Sequence, residues 1–192
     1  MSKPRILAFA GSLRRDSFNK KLVRLAAEKA REAGAEVTLL DLRDYPLPVY
    51  DGDLEEESGL PAKALELKEI FKAHGGLLLS CPEYNSSISA VLKNTIDWVS
   101  RPNGDEPPLA CFAGKVATLL AASPGGLGGL RGLVTVRSIL GNIQVIVLPG
   151  QLAVSRAHEA FDAEGDFTDP KQAERVAGLA AELVAAVGKL GR

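Results

Sequence analysis

The residues with the clearest chemical potential form one short run, Gly11-Ser12-Leu13-Arg14-Arg15-Asp16-Ser17-Phe18-Asn19. Ser12, Ser17 and Asn19 carry neutral hydrogen-bonding groups, and Arg14 and Arg15 carry charge-assisted donors. Gly11 suits the tight turn expected between the apolar strand before it and the helical pattern after it. A helix opening near Ser17 adds unpaired backbone N–H groups and the positive end of its dipole. Together these groups match the needs of a phosphate monoester. The run holds no nucleophile–base pair, so its chemistry is binding rather than reaction.

Two further segments are rich in turn-forming residues. Pro82-Glu83-Tyr84-Asn85-Ser86 offers an aromatic face or hydroxyl at Tyr84 and a stiffening Pro82, with backbone groups around Asn85 and Ser86 for a ring edge. Ser123-Pro124-Gly125-Gly126-Leu127-Gly128-Gly129 has little side-chain bulk, so its main chain can approach a flat ligand closely. Other reactive residue types suggest less. Cys81 adjoins the second segment but reads as a buried structural thiol, and Trp98 as helix core or a subunit contact. The acidic run Asp51–Glu57 reads as a solvated loop. His74 and His158 lack metal-ligand spacing, so no metal site is expected. No side chain is assigned as catalytic.

Alternating strands and helices must position these segments. The first strand is Ile6–Ala10, followed by a helical stripe through Leu22, Leu25, Ala26, Lys29 and Ala33 with a stop at Gly34. Glu36–Asp41 is the second strand, and the Pro- and Gly-containing stretch Leu42–Leu60 is expected to be an exposed loop. A helix runs from Pro61 to Ala73, then the third strand, Gly75–Ser80. A helix over Ser89–Val99 precedes the fourth strand, Lys115–Ala121. Leu130–Leu140 is helical, Gln144–Leu148 is the fifth strand, and a polar excursion, Arg156–Thr168, leads to a last helix, Pro170–Lys189.

This alternation implies right-handed crossovers and a doubly wound α/β domain, one flavodoxin-like unit over residues 1–192 with parallel strand order 2-1-3-4-5. In such a sheet, ligands sit beyond the carboxyl ends of the strands where the order reverses. The loops after strands one, three and four are the three punctuated segments described above. Phosphate at the first and a planar ring between the other two describe flavin mononucleotide (FMN).

The chain also resembles a known family. Gly11-Ser12-Leu13-Arg14 with Ser17 and Asn19, Pro82-Glu83-Tyr84-Asn85, and Leu92-Lys93-Asn94 with Ile96-Asp97-Trp98 are similar to motifs of the NADPH-dependent FMN reductases. The similarity covers about Arg5 to Leu148. It implies that Ser12, Arg14, Ser17 and Asn19 bind the FMN phosphate, and that Pro82, Glu83, Tyr84, Asn85 and Ser86 lie along the isoalloxazine. Ser123, Gly125 and Gly126 would close the other side. It further implies non-covalent FMN, NADPH or NADH as co-substrate, and a homodimer or homotetramer. Helix Ser89–Val99, with apolar Val91, Leu92, Ile96 and Trp98, is read from the sequence as an interface element. Quinones, azo dyes, chromate or flavins are the small-molecule acceptors the family takes. The alternative is a flavodoxin-type electron carrier without enzymatic activity.

Competing phosphate-binding designs are missing from the expected positions. Strands one and three end in Ala10-Gly11-Ser12 and Ser80-Cys81-Pro82, without the acidic residues of a phosphate-receiver domain. No stretch fits Gly-x-x-x-x-Gly-Lys-Ser/Thr, and none after strand one fits Gly-x-Gly-x-x-Gly. With 46% hydrophobic and 24% charged residues, the 192-residue composition is that of a globular domain. A net charge of −1 gives no footprint for nucleic acid or an anionic membrane surface, and a strongly acidic carrier is not indicated. No apolar run reaches spanning length. Two cysteines and an N-terminus that runs into a strand without a signal-peptide pattern give a cytoplasmic expectation.

Overall fold

The computed structural model describes residues 3–191. In chain order the elements begin β1 (Arg5–Ala10), α1 (Phe18–Glu32), β2 (Glu36–Leu40), α2 (Gly52–Ser58), α3 (Ala62–Lys72) and β3 (Gly76–Ser80). A small hairpin follows, β4 (Glu83–Tyr84) and β5 (Ser87–Ile88), then α4 (Ala90–Val99), β6 (Val116–Ala122) and α5 (Leu130–Asn142). The chain ends in β7 (Ile146–Val154), α6 (Ala157–Ala160) and α7 (Pro170–Lys189). The main sheet has the order β2-β1-β3-β6-β7 with every pairing parallel. This is the doubly wound flavodoxin-like order expected from the sequence.

Strand alternation divides the core in two. Ile6, Ala8 and Ala10 of β1, with Leu78, Leu120 and Ala122, pack under α1 and α7. Leu7 and Phe9, with Leu77, Leu79, Leu119 and Ala121, pack with residues of α3, α4 and α5 on the other face. Both faces of the central strands are thus dry, which explains their uninterrupted apolar sequences.

Several elements differ from the sequence-based expectation. The fifth strand continues past Leu148 to Val154. Ala117 pairs with Val147 but Leu119 pairs with Gln151, so β7 bulges at Leu148-Pro149-Gly150 and then rejoins β6. Proline cannot donate to a ladder, but an edge strand with a bulge tolerates it. Part of the expected 42–60 loop is helical. Asp51 caps α2 by accepting from Asp53 N–H, and Asp53 and Glu55 complement the dipole of its first turn. The helix buries no residue, so it lacks an apolar stripe to announce it. The acidic run is also only partly solvated, because Glu55 accepts from Arg101 Nε at 2.9 Å and from the Tyr50 hydroxyl at 2.8 Å. Finally, α4 spends its apolar side chains inside the fold of this chain. Leu92, Ile96 and Trp98 are buried, with Trp98 Nε1 donating to Pro48 O at 2.8 Å, so only half-buried Val91 remains of the apolar face expected at an interface.

Candidate functional site

The carboxyl ends of β1, β3 and β6 lie side by side, and their loops enclose a cavity of about 170 Å³. Its lining includes Ser12, Arg14, Ser17 and Asn19 from the first loop, Pro82, Glu83 and Tyr84 from the third, and Ser123 from the fourth. Gly11 N–H donates to Ser80 O at 2.9 Å, carrying the β1–β3 pairing into the first loop. Glycine is needed at Gly11 for closeness rather than for an unusual turn. A Cβ there would stand 2.9 Å from Leu92 Cβ, and its φ is not left-handed.

The first turn of α1 is left open. Ser17 occupies the N-cap with extended backbone angles, yet its side chain accepts no capping hydrogen bond, and no acidic residue sits in the first turn. By contrast, Asp51, Ser89 and Asp169 cap α2, α4 and α7 with their side chains. Ser12 and Ser17 are buried polar residues, and among the described residues the Ser12 hydroxyl accepts only a long 3.3 Å bond from Arg14 N–H. Arg14 and Arg15 are exposed, but only Arg14 lines the cavity. An uncapped dipole, two buried hydroxyls and an arginine are the donor types that a dianion requires.

Asn19 plays a different part from its neighbours. Its Nδ2 donates to Ala122 O at 2.8 Å, while Oδ1 accepts from Ala122 N–H at 3.0 Å and from the Ser80 hydroxyl at 2.9 Å. Both oxygen lone pairs and one N–H are therefore spent on strands β3 and β6. The residue holds the three loops together, with one N–H left over for a ligand.

The third loop is a hairpin whose tip, Asn85-Ser86, has φ of 50° and 64°. Two left-handed residues make the primed turn that suits a twisted hairpin, and serine there is strained. Tyr84 lines the cavity and is 51% exposed, so its ring is available to a ligand rather than packed on a helix. Glu83 turns its carboxylate away, to the start of α5. It accepts from Arg131 N–H at 3.0 Å and Gly132 N–H at 3.3 Å, and Arg131 Nε donates to it at 2.8 Å. Burial would raise the Glu83 carboxyl, but the bonds from Arg131 and Gly132 outweigh it and hold the group below its ordinary value. Glu83 thus substitutes for a cap that Gly129 cannot supply.

The fourth loop offers open backbone. A Cβ on Gly125 would meet only Ser123 Oγ at 3.7 Å, and one on Gly126 would meet nothing within 4 Å. Neither has a left-handed φ. No internal contact demands glycine at these two positions, so the space above them is what glycine preserves. Cys81, beneath this region, is wholly buried, and burial pushes its thiol up to about 12. Such a thiol is inert near neutral pH.

A roomier cavity, about 320 Å³, lies between residues 42–47 and α4. Its Asn94 is already spent, accepting from Tyr50 N–H and donating to Pro48 O, both at 2.8 Å. The smaller cavity is the one that brings the Ser12 and Ser17 hydroxyls, Arg14 and the uncapped start of α1 together.

Residues 4–159 match the family described as NADPH-dependent FMN reductase. The chain belongs to that family. It is 33% identical over 186 residues to a probable NADPH:quinone oxidoreductase 2 of Oryza sativa subsp. japonica, covering 94% of this chain and 87% of the relative. It is 35% identical over 173 residues to the NAD(P)H-dependent FMN reductase PA1204 of Pseudomonas aeruginosa, covering 90% and 89%. Among solved structures, the flavoenzyme NAD(P)H:(acceptor) oxidoreductase FerB from Paracoccus denitrificans superposes with a TM-score of 0.81 at 30% identity, covering 98% of each chain.

Family motifs account for the first and third loops of the reductase fold. They do not account for the residues that brace the site from behind. Arg156 N–H donates to Gly125 O at 3.3 Å, Ala157 N–H to Ser123 O at 3.1 Å, and Phe161 stacks on Phe18. The sequence signal for this packing is Phe161 and Phe167, two aromatic residues within the stretch read as a polar excursion.

Proposed function

We propose that this protein is an FMN-dependent NAD(P)H oxidoreductase, one FMN-binding domain spanning residues 1–192. The uncapped N-terminus of α1 beside buried Ser12 and Ser17 is the observation that carries the reading. The donor set fits the cofactor: the helix N–H groups, both serine hydroxyls and Arg14 hold the phosphate, and one Asn19 N–H completes the cradle. Pro82, Tyr84, Asn85 and Ser86 flank one side of the ring, with Glu83 setting the hairpin against α5. Ser123, Gly125 and Gly126 give the other side a bare backbone surface. Bound FMN supplies hydride and electron transfer between a reduced nicotinamide and an acceptor, so no acid–base pair is required of the protein. Tyr84 leaves one wall of the ring site accessible, which suits a nicotinamide and an acceptor taking turns. The name of the Oryza sativa relative supports quinones as acceptors, and azo dyes, chromate and free flavins are further candidates.

For assembly we propose a homodimer or homotetramer, for which exposed Leu127, Leu130 and Val134 supply apolar surface at the start of α5. Two buried free thiols favour the cytoplasm. Among the described residues no helix is long and apolar enough to cross a membrane.

The test is an absorbance spectrum of the purified protein before and after anaerobic NADPH or NADH, followed by quinone. A yellow protein that bleaches and then recovers its colour with quinone supports the reductase. A yellow protein that neither nucleotide bleaches is an electron carrier. A colourless protein that takes up no FMN overturns both.

A further inference from the structure

The stretch after β7 is attached to both halves of the cradle. On one side its backbone holds the glycine loop, through Arg156 N–H to Gly125 O and Ala157 N–H to Ser123 O. Arg156 adopts a left-handed conformation, φ 45°, to make this corner, a strain that non-glycine residues bear where surrounding contacts enforce it. On the other side Phe161 stacks on Phe18, with centroids 6.2 Å apart and planes 12° from parallel. Phe18 is the first residue of α1 and lines the cavity, immediately after Ser17. Phe167 continues the stack on the far face of the set, 5.0 Å from Phe161 at 25°.

This stack is held as a unit. Phe161 and Phe167 form an isolated antiparallel bridge, and Asp162 N–H donates to Asp166 O at 2.9 Å across the turn. Helix α1 grips the turn a second time, where Arg24 donates to the carbonyls of Glu164 and Gly165, both at 3.3 Å. The segment therefore contacts α1 through Phe18 and Arg24 and the glycine loop through Arg156 and Ala157. The family match ends at residue 159, so Phe161 and Phe167 lie beyond it, while their partner Phe18 lies within the matched part, between Ser17 and Asn19.

We propose that Phe161 is a positioning residue for phosphate recognition: through Phe18 it fixes the open end of α1 at the distance from Ser123–Gly126 that FMN requires. The proposal rests on the FMN reading above. It assigns a function to the polar excursion that a surface loop would not have.

The experiment compares FMN with riboflavin, which carries the same ring without the phosphate. Apoprotein is titrated with each flavin, following the quenching of flavin fluorescence, for the wild type and for Phe161→Leu, Phe161→Tyr and Phe167→Leu. Leucine keeps apolar volume but loses the ring face. Phe161→Leu is expected to weaken FMN binding about three- to tenfold, the loss of one aromatic pair, while leaving riboflavin affinity unchanged. Phe161→Tyr restores FMN affinity. If Phe161→Leu weakens both flavins equally, or neither, Phe161 is only packing and the proposal is overturned. Should Phe161→Leu fail to fold, half-buried Phe167→Leu carries the same test, with selective loss of FMN expected and equal or absent loss overturning it. A wild type that binds neither flavin overturns the FMN reading itself, and this proposal with it.

Discussion

Asn19 and Ala122 exchange a pair of hydrogen bonds, side-chain amide to backbone peptide, at 2.8 and 3.0 Å. The amide thereby imitates one rung of a sheet ladder at the carboxyl end of β6, on the side where β3 has ended. Removing it leaves the N–H and C=O of Ala122 and the hydroxyl of Ser80 without this partner in a buried region. Asn19→Ala is therefore expected to destabilise the apoprotein by about 2–4 kcal/mol in urea unfolding. Asn19→Asp removes the donor and places a carboxylate beside the anion site, so it is expected to weaken FMN binding more than Asn19→Ala does. A larger effect of Asn19→Ala on flavin affinity than of Asn19→Asp would contradict this assignment.

Arg14 is exposed and lines the cavity, and its side chain makes no hydrogen bond or ion pair among the described residues. Its replacement should leave the apoprotein intact. Arg14→Ala is expected to cost about 1.5–3 kcal/mol of FMN affinity through loss of a charge-assisted phosphate contact. Titration of the apoprotein measures this, and riboflavin serves as the control whose affinity stays constant.

Much of this site was legible because its parts are local. The strand ending at Ala10, the loop from Gly11 and the helical stripe from Leu22 are contiguous, so pattern and composition sufficed. What stayed hidden depends on distant partners. Glu83 sits among site residues, and only the fold shows its carboxylate spent on Arg131 and Gly132. Pro149-Gly150 reads as the end of a strand, and only pairing with β6 shows the strand resuming at Gln151. The hairpin tip lacked the Asn-Gly pair that announces a primed turn, because Ser86 takes the second place. The stack of Phe161 on Phe18 joins opposite ends of the chain, which no local periodicity records.

Glu83 predicts a pH dependence. Its carboxyl lies below the ordinary value in the folded protein, because the bonds from Arg131 and Gly132 outweigh burial. A depressed carboxylate contributes stability that is present above its unfolded value and lost as pH falls through its folded value. Wild type and Glu83→Gln should therefore differ most near neutral pH and converge in acid. Urea midpoints measured from pH 7 down to about pH 3 follow the difference. A gap between the two proteins that widens as the pH falls would refute the linkage.

Gly126 and Gly128 stand two residues apart and are glycine for opposite reasons. A Cβ on Gly128 would lie 2.7 Å from the backbone of Val154 and Ser155, and its φ of +63° disfavours any side chain. Gly128→Ala must push β7 and the Arg156 corner away, so it is expected to destabilise the apoprotein by about 1–3 kcal/mol. At Gly126 nothing stands within 4 Å, and the backbone is not left-handed. Gly126→Ala should leave apoprotein stability within about 0.5 kcal/mol of wild type, or raise it slightly by restricting the unfolded chain. With the ring placed as proposed, the added methyl group meets only the ligand. FMN and riboflavin should both bind less tightly to Gly126→Ala, because the obstruction lies at the ring rather than at the phosphate. This pattern is the reverse of that expected for Arg14→Ala, where FMN alone suffers. Titrating both apoproteins with both flavins thus tests separately which end of the cofactor each loop holds.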